Sequence, residues 1–321
     1  MRIGTNPEKK KSKKLEYKLH RIIVPVFIPE TSHEYYKEAV VVFKTCINSL
    51  LKTVDLEKTA ITIINNNSNH EVDVVIEYFY QKKLIDKYIR NSENKGKVYS
   101  ILQEARASYE EYITIADADV FFFNNWQPAV YEVFRAFSNV GVVGLTPDPH
   151  MAFYCNNSLW FCSFLSIKRG NVVATEELEL FEKGINKKDF FVTKKYNWKK
   201  KQYFLEKDKT KVIVGASHFA STYRKSMFEK LPFKRPLHVF PGGELNFLDT
   251  PIDKLGYHRV SLNKAFVYHM GNTISPNNDL EGLKNIELIG DIAFKHKVPL
   301  NFIPFIIKVY FVRIIRKLNF F

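Results

Sequence analysis

Ile113-Thr114-Ile115-Ala116-Asp117-Ala118-Asp119-Val120-Phe121-Phe122-Phe123 is the stretch on which the reading of this chain turns. An apolar, β-prone run leads into two carboxylates one residue apart. In an extended segment, side chains at i and i+2 point to the same side. Asp117 and Asp119 can therefore face one point just past the end of a buried strand. Two hard oxygen ligands there suit a divalent cation that carries a diphosphate, with the phosphates supplying the other oxygens. Asp-x-Asp is equally a solvated turn or a helix cap, so the surrounding sequence decides.

Upstream, strand and helix patterns alternate. Arg21-Ile22-Ile23-Val24-Pro25-Val26-Phe27-Ile28-Pro29 reads as a buried strand closed by proline. Residues 33–54 then place Tyr36, Ala39, Val42, Phe43, Ile47, Leu50 and Leu51 at helical spacing. Ala60-Ile61-Thr62-Ile63-Ile64 is a second strand, ending in Asn65-Asn66-Asn67-Ser68-Asn69. Residues 71–84 read as a helix, Lys87-Tyr88-Ile89-Arg90 as a short strand, and residues 98–108 as a further helix. This alternation is that of βαβ units around a parallel sheet. Ligands bind outside the carboxyl ends of the strands in such sheets. The strand ends at Pro25, Asn65 and Asp117 are therefore expected to line one crevice.

The second half is less regular. A helix over 127–138 precedes a strand at Val140-Gly141-Val142-Val143-Gly144-Leu145. Residues 171–211 are lysine-rich with scattered aromatics and read as an insertion or mobile loop. Residues 212–230 pass from the strand Lys211-Val212-Ile213-Val214 through a small-residue turn to a helix.

Lys and Arg outnumber Asp and Glu by 48 to 34, a formal net charge of +14. That balance favours nucleic acid, an anionic membrane surface or phosphate-bearing substrates. No nucleic-acid motif is present, and the charge gathers in both termini and between residues 183 and 211, so nucleic acid is not an expected partner. Cys46, Cys155 and Cys162 are neither a disulfide framework nor a zinc set. They are expected to be reduced core or near-core thiols, in keeping with a cytoplasmic setting. The opening residues are polar and basic, without the apolar centre of a secretory leader.

The order of these motifs resembles that of family 2-like glycosyltransferases of the GT-A fold. Ile22-Ile23-Val24-Pro25-Val26 resembles the family's first strand, and Ile63-Ile64-Asn65-Asn66-Asn67-Ser68 stands where Val-Val-Asp-Asp-Gly-Ser is usual. Asn94-Lys95-Gly96 resembles its Asn-x-Gly, and Asp117-Ala118-Asp119 its metal-binding motif. Gly242-Gly243-Glu244 with Gly256-Tyr257, then His269-Met270-Gly271-Asn272, resemble the acceptor-side acidic motif and the late histidine. The resemblance spans about residues 21–272.

It implies a metal-dependent enzyme that moves a sugar from a nucleotide diphosphate donor to an acceptor hydroxyl, inverting by default. Donor contacts are implied at Pro25, Val26, Asn65, Asn66, Asn94, Lys97 and Asp117. Mn²⁺ or Mg²⁺ would lie on Asp119, with Asp117 and His269 beside it. Glu244 is the implied general base, although Leu245 replaces the acidic residue that usually follows it. Asp249 and Asp253 are nearby substitutes; Asp249, before Thr250-Pro251, also reads as a helix N-cap. Asn65 and Asn66 replace acidic residues that often contact the base, so the donor stays open, with a UDP-sugar the first expectation. Two other readings are carried: an inactive, glycosyltransferase-like module that binds membrane or polyanion, and a nucleotidyltransferase. The latter would open on a glycine-rich, basic phosphate loop where this chain has Pro25-Val26-Phe27-Ile28-Pro29-Glu30.

From Phe302 to Phe321 a helix starting near Pro304 gathers Ile307, Tyr310, Phe311, Ile314, Ile315, Leu318 and Phe321 on one face. Lys308, Arg313, Arg316 and Lys317 fall on the other. Such a helix suits the interface of an anionic bilayer rather than a span. The alternative is a helix packed on the protein's own core. The expected organisation is thus a basic arm over 1–20, a GT-A domain over 21–280 and a membrane-associating helical segment over 281–321. Within the GT-A domain, residues 21–125 would bind the nucleotide sugar and 126–280, with the 171–211 insertion, the acceptor. The expected fold is α/β, a Rossmann-like, mostly parallel sheet flanked by helices. The expected location is the inner face of a membrane, next to a lipid-linked or envelope saccharide acceptor.

Overall fold

The computed structural model describes residues 3–11, 14–30, 32–233, 243–274 and 301–318, with the single positions 236, 283 and 299. Gly242, Lys13, Phe321 and most of the segment 275–300 lie outside the described residues.

The first half is built as β1 (His20–Val26), α1 (Ala39–Thr53), β2 (Thr59–Asn65), α2 (His70–Gln81), β3 (Lys87–Arg90), α3 (Lys97–Ala107) and β4 (Tyr112–Ala116). β1 pairs in parallel with both β2 and β4, and β2 with β3. Strands of a doubly covered parallel sheet are buried on both faces. Ile22, Val24 and Val26 accordingly meet Phe43 and Ile47 of α1 on one side, while Ile23 and Ile64 meet Ile101 and Leu102 of α3 on the other. His20, the first residue of β1, is fully buried between Tyr131 Oη at 2.8 Å and Thr114 Oγ1 at 2.7 Å. Burial pushes its imidazole down to about 3, so it is neutral near neutral pH.

The chain continues through β5 (Val120–Phe122), α4 (Trp126–Ala136), β6 (Val140–Gly144), α5 (Asn157–Ser163), β7 (Lys168–Gly170), α6 (Thr175–Gly184), β8 (Gln202–Lys207), β9 (Thr210–Val214), β10 (Ala220–Arg224), α7 (Lys225–Phe228), α8 (Thr250–Lys254), β11 (His258–Leu262), β12 (Val267–His269) and α9 (Phe305–Leu318). Among the described residues the main sheet has ten strands in the order β3-β2-β1-β4-β10-β6-β11-β9-β8-β7. Only β10, β9 and β7 run against the rest, so the sheet is mostly parallel in direction, with helices on its faces. The α/β expectation holds.

Two segments differ from the sequence reading. The small-residue turn expected after Val214 contains β10, the antiparallel strand between β4 and β6. The lysine-rich 171–211 segment carries α6, β8 and the start of β9, which extend the sheet, rather than open loop. Its lysines lie at the surface while Phe191, Trp198, Tyr203 and Phe204 point inward. The cysteines are free: Cys46 is buried and Cys155 partly so, but Cys162 is exposed rather than near the core.

Candidate active site

A cleft of about 360 Å³ opens at the carboxyl ends of β1, β2 and β4. Pro25 and Val26 border it from β1, Asn66 from β2, Asn94 and Lys97 from the turn into α3, and Asp117 and Asp119 from the end of β4. The three strand ends do converge on one crevice. Gly96, at φ +81°, makes the left-handed turn that delivers Lys97 to the first position of α3.

The ammonium of Lys97 donates to Asp117 Oδ1 and lies 4.0 Å from Glu244 Oε1. Burial opposes the charge on Lys97, but Asp117, Glu244 and Asp119 together outweigh it and hold its pKa above the ordinary value. Glu244, far along the sequence from Asp117 and Asp119, thus joins the aspartate pair through the shared Lys97 ammonium.

Asp119 is placed by a separate device. The small sheet β5–β12 pairs Val120 with His269, and the Met270 amide donates to the Asp119 carbonyl at 2.8 Å. His269 Nε2 consequently lies 3.5 Å from Asp119 Oδ2. Burial, reinforced by Asp117, pushes the Asp119 carboxyl up to about 6, against the pull of His269 and Lys97. Asp119 Oδ1 and His269 Nδ1 are buried and have no hydrogen-bond partner among the described residues. An orphaned carboxylate oxygen is costly, and a hard divalent cation would relieve it. No three His, Cys, Asp or Glu side chains gather into a full metal cage among the described residues. The residues fit a cation that takes its remaining ligands from a bound diphosphate.

The asparagines divide into two roles. Asn65 is fully buried; its amide donates to Asp73 Oδ1 at 2.6 Å and its carbonyl accepts from the Ser68 amide at 2.7 Å. It shapes the turn and does not line the cleft. Asn66 lines the cleft while its carbonyl accepts from Asn91 Nδ2 at 2.9 Å and the Lys95 amide at 3.0 Å, and its amide donates to Asn94 Oδ1 at 2.7 Å. These bonds lock the β2 and β3 exit loops together.

The two substitutes for Glu244 are committed elsewhere. Asp249 is buried with Arg259, whose guanidinium donates to Oδ1, while Tyr154 Oη donates to Oδ2 at 3.2 Å. It makes no side-chain cap, so the N-cap expectation is replaced by a core ion pair. Asp253 accepts from the Asn157 and Ser158 amides at 2.9 and 2.7 Å and so fixes the start of α5.

Three residues of this region escaped sequence reasoning. Tyr35 and Tyr36 line the cleft, and their adjacent aromatic rings just past the first strand were the available signal. His218 lies 3.4 Å from Asp249 Oδ2 and within electrostatic reach of Glu244, Lys97 and Asp117. Burial and then Arg259 push it down to about 4. Nothing in its sequence neighbourhood marked it.

The sequence profile described as Glycosyl transferase family 2 matches residues 35–232. No curated protein matches the chain. Among solved structures it is similar to the Pyrobaculum calidifontis mannosyltransferase PcManGT in complex with GDP-Man and Mn²⁺, at 12% identity and TM-score 0.42 over 77% of this chain and 55% of that one. It is also similar to residues 1–349 of S. aureus TarS, at 12% identity and TM-score 0.44 over 78% of this chain and 59% of that one. The same TarS segment in complex with UDP-GlcNAc gives 13% identity and TM-score 0.41, over 80% and 61%. The chain therefore spans less than two thirds of the length of these proteins.

Proposed function

The chain belongs to glycosyl transferase family 2, and from that premise we propose that it transfers a sugar, with inversion, from a UDP-sugar to a hydroxyl of a saccharide acceptor. The observation that carries the proposal is the convergence of Asp117, Asp119, Lys97, Glu244 and His269 at the mouth of the strand-end cleft. Tyr35 and Tyr36 line the cleft and offer aromatic faces to the base. Lys97 sets a positive charge beside Asp117, where it can also meet a phosphate oxygen.

Mn²⁺ or Mg²⁺, held by Asp119 with Asp117 and His269 beside it, would supply Lewis-acid neutralisation of the departing diphosphate. Glu244 takes the proton of the acceptor hydroxyl. The acceptor oxygen bonds to the anomeric carbon from the face opposite the diphosphate, and the bond from that carbon to the phosphate oxygen breaks. Glu244 suits this role because Asp249 and Asp253 are already engaged in the core. The acceptor we infer is a lipid-linked or envelope saccharide, met with the protein peripheral on the inner face of a membrane. The excess of basic residues supports that setting, and no helix among the described residues is long and apolar enough to cross a membrane.

Release of UDP from a panel of UDP-sugars, with and without Mn²⁺ and a saccharide acceptor, tests the reading. Asp119→Ala should lower metal-dependent turnover by on the order of a hundredfold or more. Glu244→Gln should keep donor binding and slow transfer by roughly a hundredfold to ten-thousandfold. Full activity in either variant contradicts the assignment.

A further inference from the structure

α9 presents three distinct arcs at about 100° per residue. Lys308, Val312 and Ile315 are buried against the body of the protein, and the ring of Phe311 meets Phe161 and Phe164 at 5.2 and 5.3 Å. Lys308, expected on a solvated face, instead donates to Ser158 Oγ at 3.2 Å and to Asn301 Oδ1. Next around the helix come Arg313, Arg316 and Lys317, all exposed. Ile307, Tyr310, Ile314 and Leu318 complete the circle as a continuous apolar stripe, each between 49 and 61% exposed. Phe302 and Ile303, just before the helix, extend the apolar surface.

The helix is therefore both packed and amphipathic, with a seam shifted from the one its sequence suggests. Phe311 and Ile315 turn inward, and the remaining stripe has no partner among the described residues. Contiguous apolar surface of this kind marks an interaction site.

We propose that this stripe seats the protein on a bilayer with anionic phospholipid headgroups. Charge complementarity selects that occupant. Residues 301–321 contain no Asp or Glu, and Arg313 and Lys317 run along one border of the stripe. Apolar side chains enter the interface while the bordering cations meet headgroup phosphates. A second copy docked about a two-fold axis would instead bring two such basic borders together. The inference rests on the membrane-side setting proposed above and gives that setting a surface.

Vesicle flotation of the full chain tests it, using phosphatidylcholine alone and phosphatidylcholine mixed with phosphatidylglycerol. The wild-type chain should float with the anionic vesicles and release as salt rises. The double variant I307S/I314S should lose on the order of tenfold or more in partitioning, and R313Q/K317Q a few-fold. All four positions are exposed, so unchanged circular dichroism and melting should accompany the loss. Donor turnover measured without vesicles should be equal in all three proteins; its absence from the wild type would count against the transferase and leave the flotation result standing. Wild-type chain that stays in solution with both vesicle types overturns the proposal, as does I307S/I314S floating like wild type. A wild-type dimer dissolved by I307S/I314S, with no flotation of either, also overturns it and assigns the stripe to a second copy.

Discussion

Among the described residues, Asp119 keeps one carboxylate oxygen buried without a hydrogen-bond partner, next to a histidine whose Nδ1 is in the same condition. A protein core tolerates few such groups, and a cation bound at the proposed site would relieve the carboxylate oxygen. Asp249 is the contrasting carboxylate: deeper, and satisfied by Arg259 and Tyr154. Asp249→Asn should therefore act on stability, lowering the unfolding free energy by about 3–5 kcal/mol because the buried guanidinium loses its counter-charge. Glu244→Gln, at the cleft, should change it by no more than about 0.5 kcal/mol. Urea midpoints of the two variants separate these roles, and equal losses would contradict the division. Asp117 and Asp119 were legible in the sequence because strand periodicity turns i and i+2 to one side. His269 was named only through the family resemblance, since the β5–β12 pairing that brings it to Asp119 is long-range. The distinction between Glu244 and Asp249 was not legible, since it depends on Arg259, which arrives from β11. Asn65 misled for the same reason: its partner Asp73 sits on α2 and turns a cleft candidate into a turn residue.

At the scale of elements, β12 and the end of α6 are pressed together around the site. A Cβ on Gly184 would stand 2.6 Å from the His269 carbonyl oxygen and 3.1 Å from its Cβ. Gly184→Ala must displace β12 and should cost about 1–3 kcal/mol. Because β12 carries His269, the same variant should weaken Mn²⁺-dependent nucleotide binding; calorimetric titration showing wild-type affinity would break the link. His20 ties β1 to β4 and α4 as a neutral imidazole. Its folded pKa lies below the unfolded value of 6.5, so its contribution is intact above 6.5 and is lost as pH falls toward 3. Between pH 6.5 and 5 that loss is about 2 kcal/mol. His20→Gln removes it, so the stability gap between wild type and variant should narrow by that amount at pH 5, read from urea unfolding at both pH values. β10 was invisible to hydrophobic patterning because Ala220-Ser221-Thr222-Tyr223-Arg224 is mostly polar. Its polar side chains are satisfied inside: Thr222 with Thr114 at 2.6 Å, and Arg224 on the Val140 and Phe134 carbonyls at 2.8 and 2.9 Å. The 171–211 segment was misread for the converse reason, since its many surface lysines masked the aromatics that hold it to the sheet.

Across the whole molecule, a parallel half supplies a cleft at its strand ends and a mixed half brings Glu244 and His269 back to it. The architecture of the first half was readable from alternation alone; the closure of the site was not, because it depends on pairings between residues far apart in the chain. This site is proposed to hold a nucleoside diphosphate together with a divalent cation. The decisive experiment is the melting temperature of the full chain with UDP, GDP and their sugars, each with and without Mn²⁺, beside the Asp119→Ala variant. A ligand at about a hundred times its Kd adds about 2.7 kcal/mol to the native state, enough to raise the melting temperature by a few degrees. Such a rise is expected with UDP or a UDP-sugar, only when Mn²⁺ is present and only with Asp119 intact. No rise with any nucleotide, or an equal rise in Asp119→Ala, would contradict that proposal.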